Sequence, residues 1–379
     1  MISQTLKNLR VLDLGQIAAG PLISTFLADL GADVIKIEPP GGDLVRSFPP
    51  HFNGESLAHL GLNRAKRICT MDLKNTDDAA RLSSMALDAD VLVESFRPGV
   101  MERLGFGYET LSKLNPKLIY CSVSAYGSNS PRAKTPGVDG MIQAASGLMS
   151  ITGPVDGEPS KIQTPIVDMT TGHLGTVAVL AALLERTQSG RGRHLNVSLF
   201  GAALQLGLWP LQSYANTGEV PLRSGSGAPY ATPNEAYPAR DGWLMVAAYQ
   251  PSRWTALCAA LGNSQLAIDP RFANLSARLQ NRAALFDTLT AIFKQEAVAT
   301  WVMRLEQADV MCTPIHDYGS LLDDESLDAR SYLTTAEHPK AGHLTLMRSY
   351  FDMVTGEKAN GDIGFADCTD GKPFWHPIT

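Results

Sequence analysis

The start of the chain contains the feature that most constrains the fold, two short apolar runs separated by an amphipathic stretch. Arg10–Leu14 predicts a buried strand, and Pro21–Leu30 has helical spacing between an initiating proline and the terminating Gly31. Asp33–Glu38, rich in β-branched residues, predicts a second strand. Because a helix connects the two strands, they are expected to be parallel neighbours.

The same alternation continues through the first third of the chain. Further strands are predicted at Arg67–Leu73, Asp90–Glu94 and Leu118–Val123, with a helix over Thr76–Ala89. Five parallel strands separated by helices predict a large, Rossmann-like, doubly wound α/β domain.

The second half of the chain differs from the first in composition and in its pattern of predicted elements. A long apolar helix is predicted over Gly172–Gln188, and residues 218–233 are rich in Gly, Pro and Ser. A smaller α+β region follows. The predicted organisation is a large domain at 1–200 joined by about 350–379, a linker at 201–225, a small domain at 226–330 and a return linker at 331–349.

Composition excludes several classes of protein. The 379 residues carry a formal net charge of −6, which argues against a general nucleic-acid or anionic-membrane surface. No apolar run approaches the roughly 20 residues of a membrane span, and the N-terminus lacks a signal-peptide core. The five scattered cysteines include no C-x-x-C, so five reduced thiols and a cytoplasmic location are expected.

Familiar cofactor motifs are absent. The turn Gly15–Pro21 does not match G-x-G-x-x-G, and there is no Walker A sequence. The eight histidines are dispersed without H-E-x-x-H spacing, and no G-x-S-x-G element occurs. No metal and no permanently bound cofactor are therefore predicted.

Two kinds of charged residue remain as candidates for a site. Lys74, Arg97 and Arg103 lie just beyond strand ends, where they either converge on a ligand with several phosphates or form a solvated surface. Asp168 precedes the predicted long helix, and Asp139 lies in Pro136–Gly140. Asp168 is either a helix cap or an oriented, partly desolvated nucleophile.

Several motifs together resemble the class III CoA-transferases, the family of formyl-CoA and carnitine CoA-transferases and α-methylacyl-CoA racemases. The resemblance covers some nine-tenths of the chain in the family's order. It is carried by Val11–Leu14, Ala19–Pro21, Leu27–Glu38, Asn63–Arg67, Met71–Lys74, Glu94–Gly99, Arg103–Gly105, Ser124–Gly127, Gly190–Gly192, Asp269–Phe272 and Glu337–Pro339.

The resemblance implies an interlocked, ring-like homodimer and a set of site residues. It implies Asp168 as catalytic nucleophile, Gln16 as an oxyanion or orienting group and Asp139 as a supporting carboxylate. It implies CoA contacts at Ala18, Ala19, Met71, Asp72, Leu73, Lys74, Ser95, Phe96, Arg97, Arg103, Pro136, Gly137 and Val138. Gly225, Ser226 and Gly227 resemble a shortened mobile loop over the active site.

The chemistry implied is transfer of CoA from an acyl-CoA to a free carboxylic acid, through an aspartyl anhydride and an aspartyl-CoA thioester. Backbone N–H groups of the Gly15–Gly20 turn are candidate oxyanion donors. Two alternatives stay open: an α-methylacyl-CoA racemase using Asp139 or His173 as a base, and a non-catalytic CoA-binding dimer. Val138 stands where the racemases have a proton-transferring His, which disfavours the racemase.

Substrate identity is less constrained. Pro39, Ala18 and Gln16 depart from formyl-CoA transferase, where an Arg, a Gln and a His stand, so that enzyme's preferences do not transfer. A short dicarboxylic acid is one hypothesis. Its distal carboxylate would pair with one of four arginines, Arg46, Arg132, Arg223 or Arg240, each of which is otherwise an ordinary surface residue.

Overall fold

The computed structural model describes residues 4–354, 366–368 and 374–375 and divides into two compact units. The sheet unit comprises Met1–Leu148, Lys161–Glu219 and Arg330–Thr379. The small unit comprises Met149–Ser160 and Val220–Ala329.

Strands and helices alternate over most of the chain. The strands are β1 (Arg10–Leu14), β2 (Asp33–Glu38), β3 (His51–Phe52), β4 (Glu55–Ser56), β5 (Arg67–Thr70), β6 (Val91–Glu94), β7 (Ile119–Ser124), β8 (Arg193–Ser198), β9 (Asn234–Pro238), β10 (Trp243–Ala247), β11 (Met311–Pro314), β12 (Leu333–His338), β13 (Gly342–Met347) and β14 (Ala366–Asp367). The helices are α1 (Ala19–Asp29), α2 (Leu57–Leu62), α3 (Thr76–Leu87), α4 (Val100–Arg103), α5 (Tyr108–Leu114), α6 (Asp139–Ala145), α7 (Leu148–Ile151), α8 (Ile166–Ser189), α9 (Leu199–Leu206), α10 (Leu208–Thr217), α11 (Pro251–Ala260), α12 (Leu275–Gln280), α13 (Arg282–Phe293), α14 (Val298–Gln307), α15 (Tyr318–Asp323) and α16 (Tyr350–Val354).

A seven-stranded sheet forms the centre of the sheet unit, in the order β14-β5-β2-β1-β6-β7-β8. Every strand pairing in it is parallel, so the α/β fold with a central parallel sheet is confirmed. From β1 the chain adds β2 and β5 on one side of the sheet and then β6, β7 and β8 on the other side. This reversal creates a crevice at the carboxyl ends of β1 and β6, where ligands of such sheets bind.

Alternating side chains supply a core on each face of the sheet. Val11 and Val91 pack with α1 and α8 on one face, whereas Leu12 and Leu92 pack with α3 and α5 on the other. Strands covered on both faces are apolar at successive positions, and this explains the unbroken apolar runs in the sequence.

Two glycines bring α8 against α1. A Cβ built on Gly172 would lie 2.7 Å from Leu22 Cβ, and one built on Gly175 would collide with Ile23. Only a residue without a side chain permits this approach of the two helix backbones. The contact fixes the first turn of α8 beside the start of α1.

Helices and a hairpin occupy segments that the sequence suggested as linkers. Residues 201–225 contain most of α9 and all of α10, which belong to the sheet unit. Residues 331–349 form the antiparallel hairpin β12–β13 in the same unit, where Leu344 and Leu346 pack on Leu60. Short amphipathic elements carry too few periods to stand out from a linker in sequence.

Helix α8 corrects two expectations. It begins at Ile166 rather than Gly172, because a side chain from α6 satisfies its first backbone N–H groups. It is also, by length and composition alone, apolar enough to cross a membrane, contrary to the expectation that no run would be. In the sheet unit α8 packs against α1, with Val167 and Val179 fully buried.

The expectation of five reduced thiols is wrong. Cys69 and Cys368 form a disulfide across 299 residues, and Cys121, Cys258 and Cys312 are free. The pairing arises because β14 adds to the edge strand β5, with Cys368 N–H donating to Ile68 O at 2.9 Å. Spacing in the sequence gives no sign of it. Most of the predicted C-terminal segment 350–379 lies outside the described residues.

The small unit has its own sheet and core. Its antiparallel strands follow the order β11-β10-β9, and helices α11, α13 and α14 contribute Trp254, Phe293 and Trp301 to a buried cluster. The buried Arg278 guanidinium donates to the carbonyls of Thr232, Phe272 and Tyr249, so its charge is solvated by backbone oxygen.

Candidate active site

The turn after β1 is held by a side chain of β1 itself and by side chains from the segments after β2 and β6. The Gln16 N–H donates to Ser95 Oγ at 2.8 Å, and the Ile17 N–H donates to Asp43 Oδ1 at 3.1 Å. Gly15 N–H donates to Asp13 Oδ1 at 2.8 Å. Ile17 adopts a φ of 65°, which a β-branched residue accepts only where its surroundings fix it.

Four buried charges lie beneath this turn. Lys66 Nζ donates to Asp13 Oδ2 at 2.9 Å, and Lys36 Nζ donates to Asp43 Oδ2 at 3.0 Å and to the Gly15 carbonyl. Burial lowers the pKa of Lys66 to about 8. Burial would raise the pKa of Asp13, but the two lysines outweigh it and lower that pKa. The network fixes the backbone from which the site is built.

These contacts reduce the number of backbone N–H groups in Gly15–Gly20 that are available to an oxyanion. The N–H groups of Gly15, Gln16 and Ile17 already have acceptors within the protein. Helix α1 begins at Ala19 without a side-chain cap, so the N–H groups of Ala18, Ala19 and Gly20 are the donors left in this turn. Only the second half of the predicted Gly15–Gly20 segment therefore suits an oxyanion.

Asp168 lies in the first turn of α8, next to the start of α1. It precedes Gly172 by one helical turn, and a Cβ on Gly172 would lie 3.6 Å from Ala19 O. Residues four apart share a helix face, so Asp168 is on the side of α8 that faces the N-terminus of α1. The positive end of that helix dipole favours a carboxylate or an oxyanion there.

Asp139, rather than Asp168, caps α8. Its Oδ2 accepts from the N–H groups of Val167 at 2.7 Å and Asp168 at 3.0 Å, while its Oδ1 accepts from Gln143 Nε2. The capping alternative for the Asp168 side chain is therefore wrong, since α8 shows no cap from its own preceding residues. Asp139 instead positions the backbone that carries Asp168.

The surroundings of Asp168 change the pKa of its carboxyl group. Burial, followed by the negative charge of Asp139, raises the pKa of Asp168 to about 7. Once ionised, a carboxylate with a raised pKa is more basic, and so a better nucleophile, than an exposed one.

A cavity of about 380 Å³ lies at the carboxyl edge of the sheet. It collects six of the residues expected to contact CoA, namely Met71, Asp72, Leu73, Lys74, Phe96 and Arg103, together with Gln16, which was expected as an oxyanion or orienting group. Leu14, Ile37, Pro39, Val100 and Leu104 complete the wall. An apolar wall with two cations at its rim suits a nucleotide whose base is buried and whose phosphates remain near solvent.

Other expected contacts lie outside this cavity. The Ser95 hydroxyl oxygen accepts a hydrogen bond from the Gln16 N–H. Arg97 is exposed and does not line the cavity. Pro136, Gly137 and Val138 lead into α6, where Val138 is 56% exposed. A Cβ on Gly137 would lie 2.9 Å from Ala125 Cβ, so this segment also depends on a close backbone approach.

The loop that contains Gly225, Ser226 and Gly227 belongs to the small unit and forms hydrogen bonds within that unit. Ser226 Oγ accepts from Ala236 N–H at 3.0 Å, and Gly227 N–H donates to Ser224 O at 2.9 Å. Gly225 supplies the left-handed turn with a φ of 62°, and a side chain at Gly227 would collide with Arg282. These contacts define the shape of the turn, and its role as a mobile loop over the active site stays a prediction.

Sequence reasoning missed Lys36, Asp43 and Gln143. Lys36 carries a detectable signal, since a lysine inside an apolar strand needs a buried partner. Asp43 contacts Ile17 across 26 residues and Gln143 contacts Ile162 across 19, so no local pattern in the sequence points to either contact.

Among the described residues, no group of three or more His, Cys, Asp or Glu side chains is placed to hold a metal ion. The parallel sheet carries the cavity of about 380 Å³ at the carboxyl ends of β1, β2, β5 and β6, and Asp168 lies where α8 packs on the start of α1. The family model for CoA-transferase family III matches residues 6–360, and the chain belongs to that family.

Characterised relatives and a solved structure agree with this assignment. The chain is 37% identical over 328 residues to an acetyl-CoA:oxalate CoA-transferase of Acetobacter aceti, covering 86% of this chain and 84% of the relative. It is 35% identical over 348 residues to a succinyl-CoA:mesaconate CoA-transferase of Haloarcula hispanica, covering 89% and 86%. A CaiB/BaiF family protein from Brucella suis superposes with a TM-score of 0.83 at 32% identity, covering 92% of each chain.

Proposed function

We propose that the protein moves CoA from an acyl-CoA to a short dicarboxylic acid, with Asp168 as the covalent nucleophile. The observation that carries this proposal is the half-buried Asp168 with a pKa near 7 beside the uncapped start of α1. The relatives named for oxalate and mesaconate support the dicarboxylate.

Four steps complete the exchange. The Asp168 carboxylate attacks the thioester carbonyl and expels CoA thiolate, giving a mixed anhydride. Thiolate then attacks the aspartyl carbonyl, which releases the donor acid and leaves an aspartyl-CoA thioester. The acceptor carboxylate attacks this thioester and expels thiolate again. Thiolate finally attacks the acceptor carbonyl, which frees Asp168 and yields the new acyl-CoA.

Each attack creates a tetrahedral oxyanion that needs donors. The N–H groups of Ala18, Ala19 and Gly20 at the start of α1 are the candidates, because the preceding three N–H groups are already bonded. The Gln16 side chain lines the CoA cavity and is suited to orient the thioester arm. Lys74 and Arg103 at the rim are suited to the nucleotide phosphates.

The racemase alternative receives less support. Val138 cannot transfer a proton, and both oxygens of Asp139 are occupied by backbone and Gln143 donors. His173 stacks on Phe26 and its Nδ1–H donates to Met169 O at 2.7 Å, which leaves Nε2 as its free nitrogen. A non-catalytic CoA-binding dimer would not need an aspartate with a raised pKa.

Covalent trapping tests the proposal directly. The protein is incubated with succinyl-CoA, treated with hydroxylamine or borohydride, digested and mapped by mass spectrometry. A modification on the peptide that contains Asp168 is expected. An unmodified chain that washes solvent deuterium into an α-methylacyl-CoA would establish the racemase instead.

We expect transfer to depend on pH through Asp168. Because the nucleophile must be ionised and its pKa is about 7, kcat/KM should fall about tenfold per pH unit below pH 7. Asp139→Asn removes the neighbouring charge, so the acid limb should move to lower pH. Glu94 also has a pKa raised to about 7 by burial, and Glu94→Gln serves as the control that leaves the limb in place. An unmoved limb in Asp139→Asn would contradict the assignment.

The cavity cations should govern affinity for the CoA donor. Arg103→Gln and Lys74→Gln are each expected to raise KM for succinyl-CoA about tenfold or more, since charged hydrogen bonds contribute about 1.5–3 kcal/mol. Initial rates over a range of donor concentrations measure this. Lys113→Gln, an exposed lysine on α5, is the matched control. Arg97→Gln should have a smaller effect than Arg103→Gln, because Arg97 does not line the cavity.

We also propose the interlocked homodimer that the family resemblance implies. The sheet unit exposes apolar side chains along α10, including Leu208, Trp209, Leu211 and Tyr214, with Trp209 68% exposed. Such a surface is typical of a partner interface. Light scattering should give twice the 40.7 kDa chain mass, and Trp209→Asp should shift the protein toward the monomer. A wild-type monomer at micromolar concentration would refute the dimer.

A further inference from the structure

A second cavity lies beside the β5 edge of the large sheet, in the sheet unit. It has a volume of about 560 Å³, and among the described residues it shares no lining residue with the cavity proposed for CoA. Cys69 and Cys368, the two halves of the disulfide, are both part of its wall. The disulfide therefore faces a space that is large enough to hold a small molecule.

The two cysteines of the disulfide differ in exposure. Cys69 lies inside β5 and is 3% exposed, whereas Cys368 follows β14 and is half-buried. Thiol–disulfide exchange begins when a thiolate attacks the sulfur that it can reach. Attack is therefore expected at Cys368, with Cys69 as the leaving group. None of the free cysteines in the described part of the chain lines this cavity, so the attacking thiol has to come from outside.

Charges on the cavity wall favour an anionic thiol. Three cations line the cavity, Arg46, Arg81 and Lys340, against the two carboxylates of Glu38 and Glu55. Arg46 Nε donates to Glu38 at 2.7 Å, but Lys340 Nζ is held only loosely, 3.9 Å from Glu55 Oε1, with 76% of its side chain exposed. An ion pair of this kind contributes little, so the ammonium group can bind a carboxylate of an incoming molecule.

The disulfide holds a strand that has few other contacts with the sheet. β14 pairs with β5 through two register pairs, Ala366 with Arg67 and Asp367 with Ile68, and the Cys368 N–H donates to Ile68 O at 2.9 Å. A strand of two residues at the edge of a sheet has little stability of its own. Opening the disulfide should therefore release β14 from β5.

We propose that Cys69–Cys368 is a thiol–disulfide exchange site and that the cavity beside it admits the small anionic thiol that opens it. The incoming thiolate bonds to Cys368 Sγ, the S–S bond breaks, and its electron pair leaves on Cys69 Sγ, which takes up a proton. A second thiolate attacks the outer sulfur of the mixed disulfide and releases Cys368 as a thiolate, which is protonated in turn. Two small thiols are oxidised to their disulfide, and the protein disulfide is reduced to two thiols.

Reduced glutathione, a thiol with two carboxylates, is the probe for the test. Protein prepared without reductant is exposed to it, quenched with iodoacetamide, digested and mapped by mass spectrometry. We expect glutathione on the Cys368 peptide, alkylated Cys69, and faster hydrogen exchange over residues 366–368. The double variant Cys69→Ser/Cys368→Ser should give no adduct, because a reduced thiol forms a mixed disulfide only with an existing disulfide. Cys312, a free and partly exposed thiol, is the internal control.

A charge substitution tests the preference for an anion. Rates of opening are measured with glutathione and with neutral mercaptoethanol at equal thiolate concentration. Lys340→Gln should slow the reaction with glutathione about threefold or more and leave the reaction with mercaptoethanol unchanged. Lys294→Gln, an exposed lysine of the small unit that does not line the cavity, is the matched control and should change neither rate.

The outcomes are independent of the proposed CoA transfer, which the Asp168 adduct tests. Five free thiols in the untreated, denatured protein would overturn the exchange site. A disulfide that glutathione opens only after denaturation would overturn it as well. Equal slowing of both thiols in Lys340→Gln, or no slowing of glutathione, would overturn the anionic-thiol assignment of the cavity.

Discussion

Replacing Asp168 by Asn is expected to lower kcat for CoA transfer by at least about 10³-fold and to abolish the trapped adduct. The amide has nearly the same shape as the carboxylate but no oxygen that can form an anhydride, so every step of the exchange is blocked at its first bond. Steady-state transfer from succinyl-CoA and mapping of the Asp168 peptide measure both effects.

A variant that fails to fold would also lose transfer, and the melting temperature distinguishes an unfolded variant from a folded, inactive one. The pKa of Asp168 is raised from 3.8 to about 7 in the folded protein, so its contribution to stability is lost as pH rises from about 4 to about 7 and stays lost above that. A neutral Asn does not ionise, so Asp168→Asn should melt at the same or a higher temperature than wild type at pH 8. Affinity for free CoA should also persist, because the cavity cations are unchanged. A variant that retains transfer would eliminate Asp168 as nucleophile.

The parallel sheet was predictable because its signal is local and repeated. Each strand of the first half is a short apolar run, and Gly31 ends α1 with a φ of 96° where a left-handed residue is needed. The residues around the cavity were predicted only through the family resemblance. Residue spacing alone left Lys74 and Arg103 undecided between a phosphate site and a solvated surface.

Features that depend on contacts between distant segments were not predictable. The Cys69–Cys368 disulfide depends on an edge strand added 299 residues later. The cap on α8 comes from Asp139, 28 residues before Val167, and the sequence around Asp168 suggested a cap of its own. Gln143 in α6 joins Asp139 to the backbone of Ile162, 19 residues further along the chain. None of these pairs has a spacing that a periodic pattern can reveal.

The buried ion pair beneath the first turn connects fold stability to the site. Lys66 and Asp13 are both fully buried, and Lys66 Nζ has two further acceptors, Pro21 O at 2.8 Å and Asn63 Oδ1 at 3.1 Å. Asp13 also accepts from Ser24 Oγ and from the Gly15 N–H. Since Pro21 lies in the first turn of α1 and Gly15 in the turn before it, the pair positions the donors proposed for the oxyanion.

Asp13→Leu should therefore lower the free energy of unfolding by about 3–5 kcal/mol, because it leaves the Lys66 ammonium buried without its carboxylate. Lys66→Met should lower the free energy of unfolding by a somewhat smaller amount. The Asp13 carboxylate would keep one cation nearby, because Lys36 Nζ lies 4.0 Å from Asp13 Oδ2. In the double variant neither charge is stranded, so its loss should be smaller than the sum of the single losses by about 2 kcal/mol. Guanidinium unfolding of the four proteins measures this coupling.

The exposed pair Arg193–Glu185 provides the control. Its side chains are 55% and 48% exposed, so Glu185→Gln should change stability by no more than about 0.5 kcal/mol. Losses that simply add in the Asp13 and Lys66 double variant would mean that the two residues act independently. In that case the rigidity of the Gly15–Ile17 turn would have to come from Asp43 and Ser95, whose contacts with Ile17 and Gln16 these substitutions do not touch.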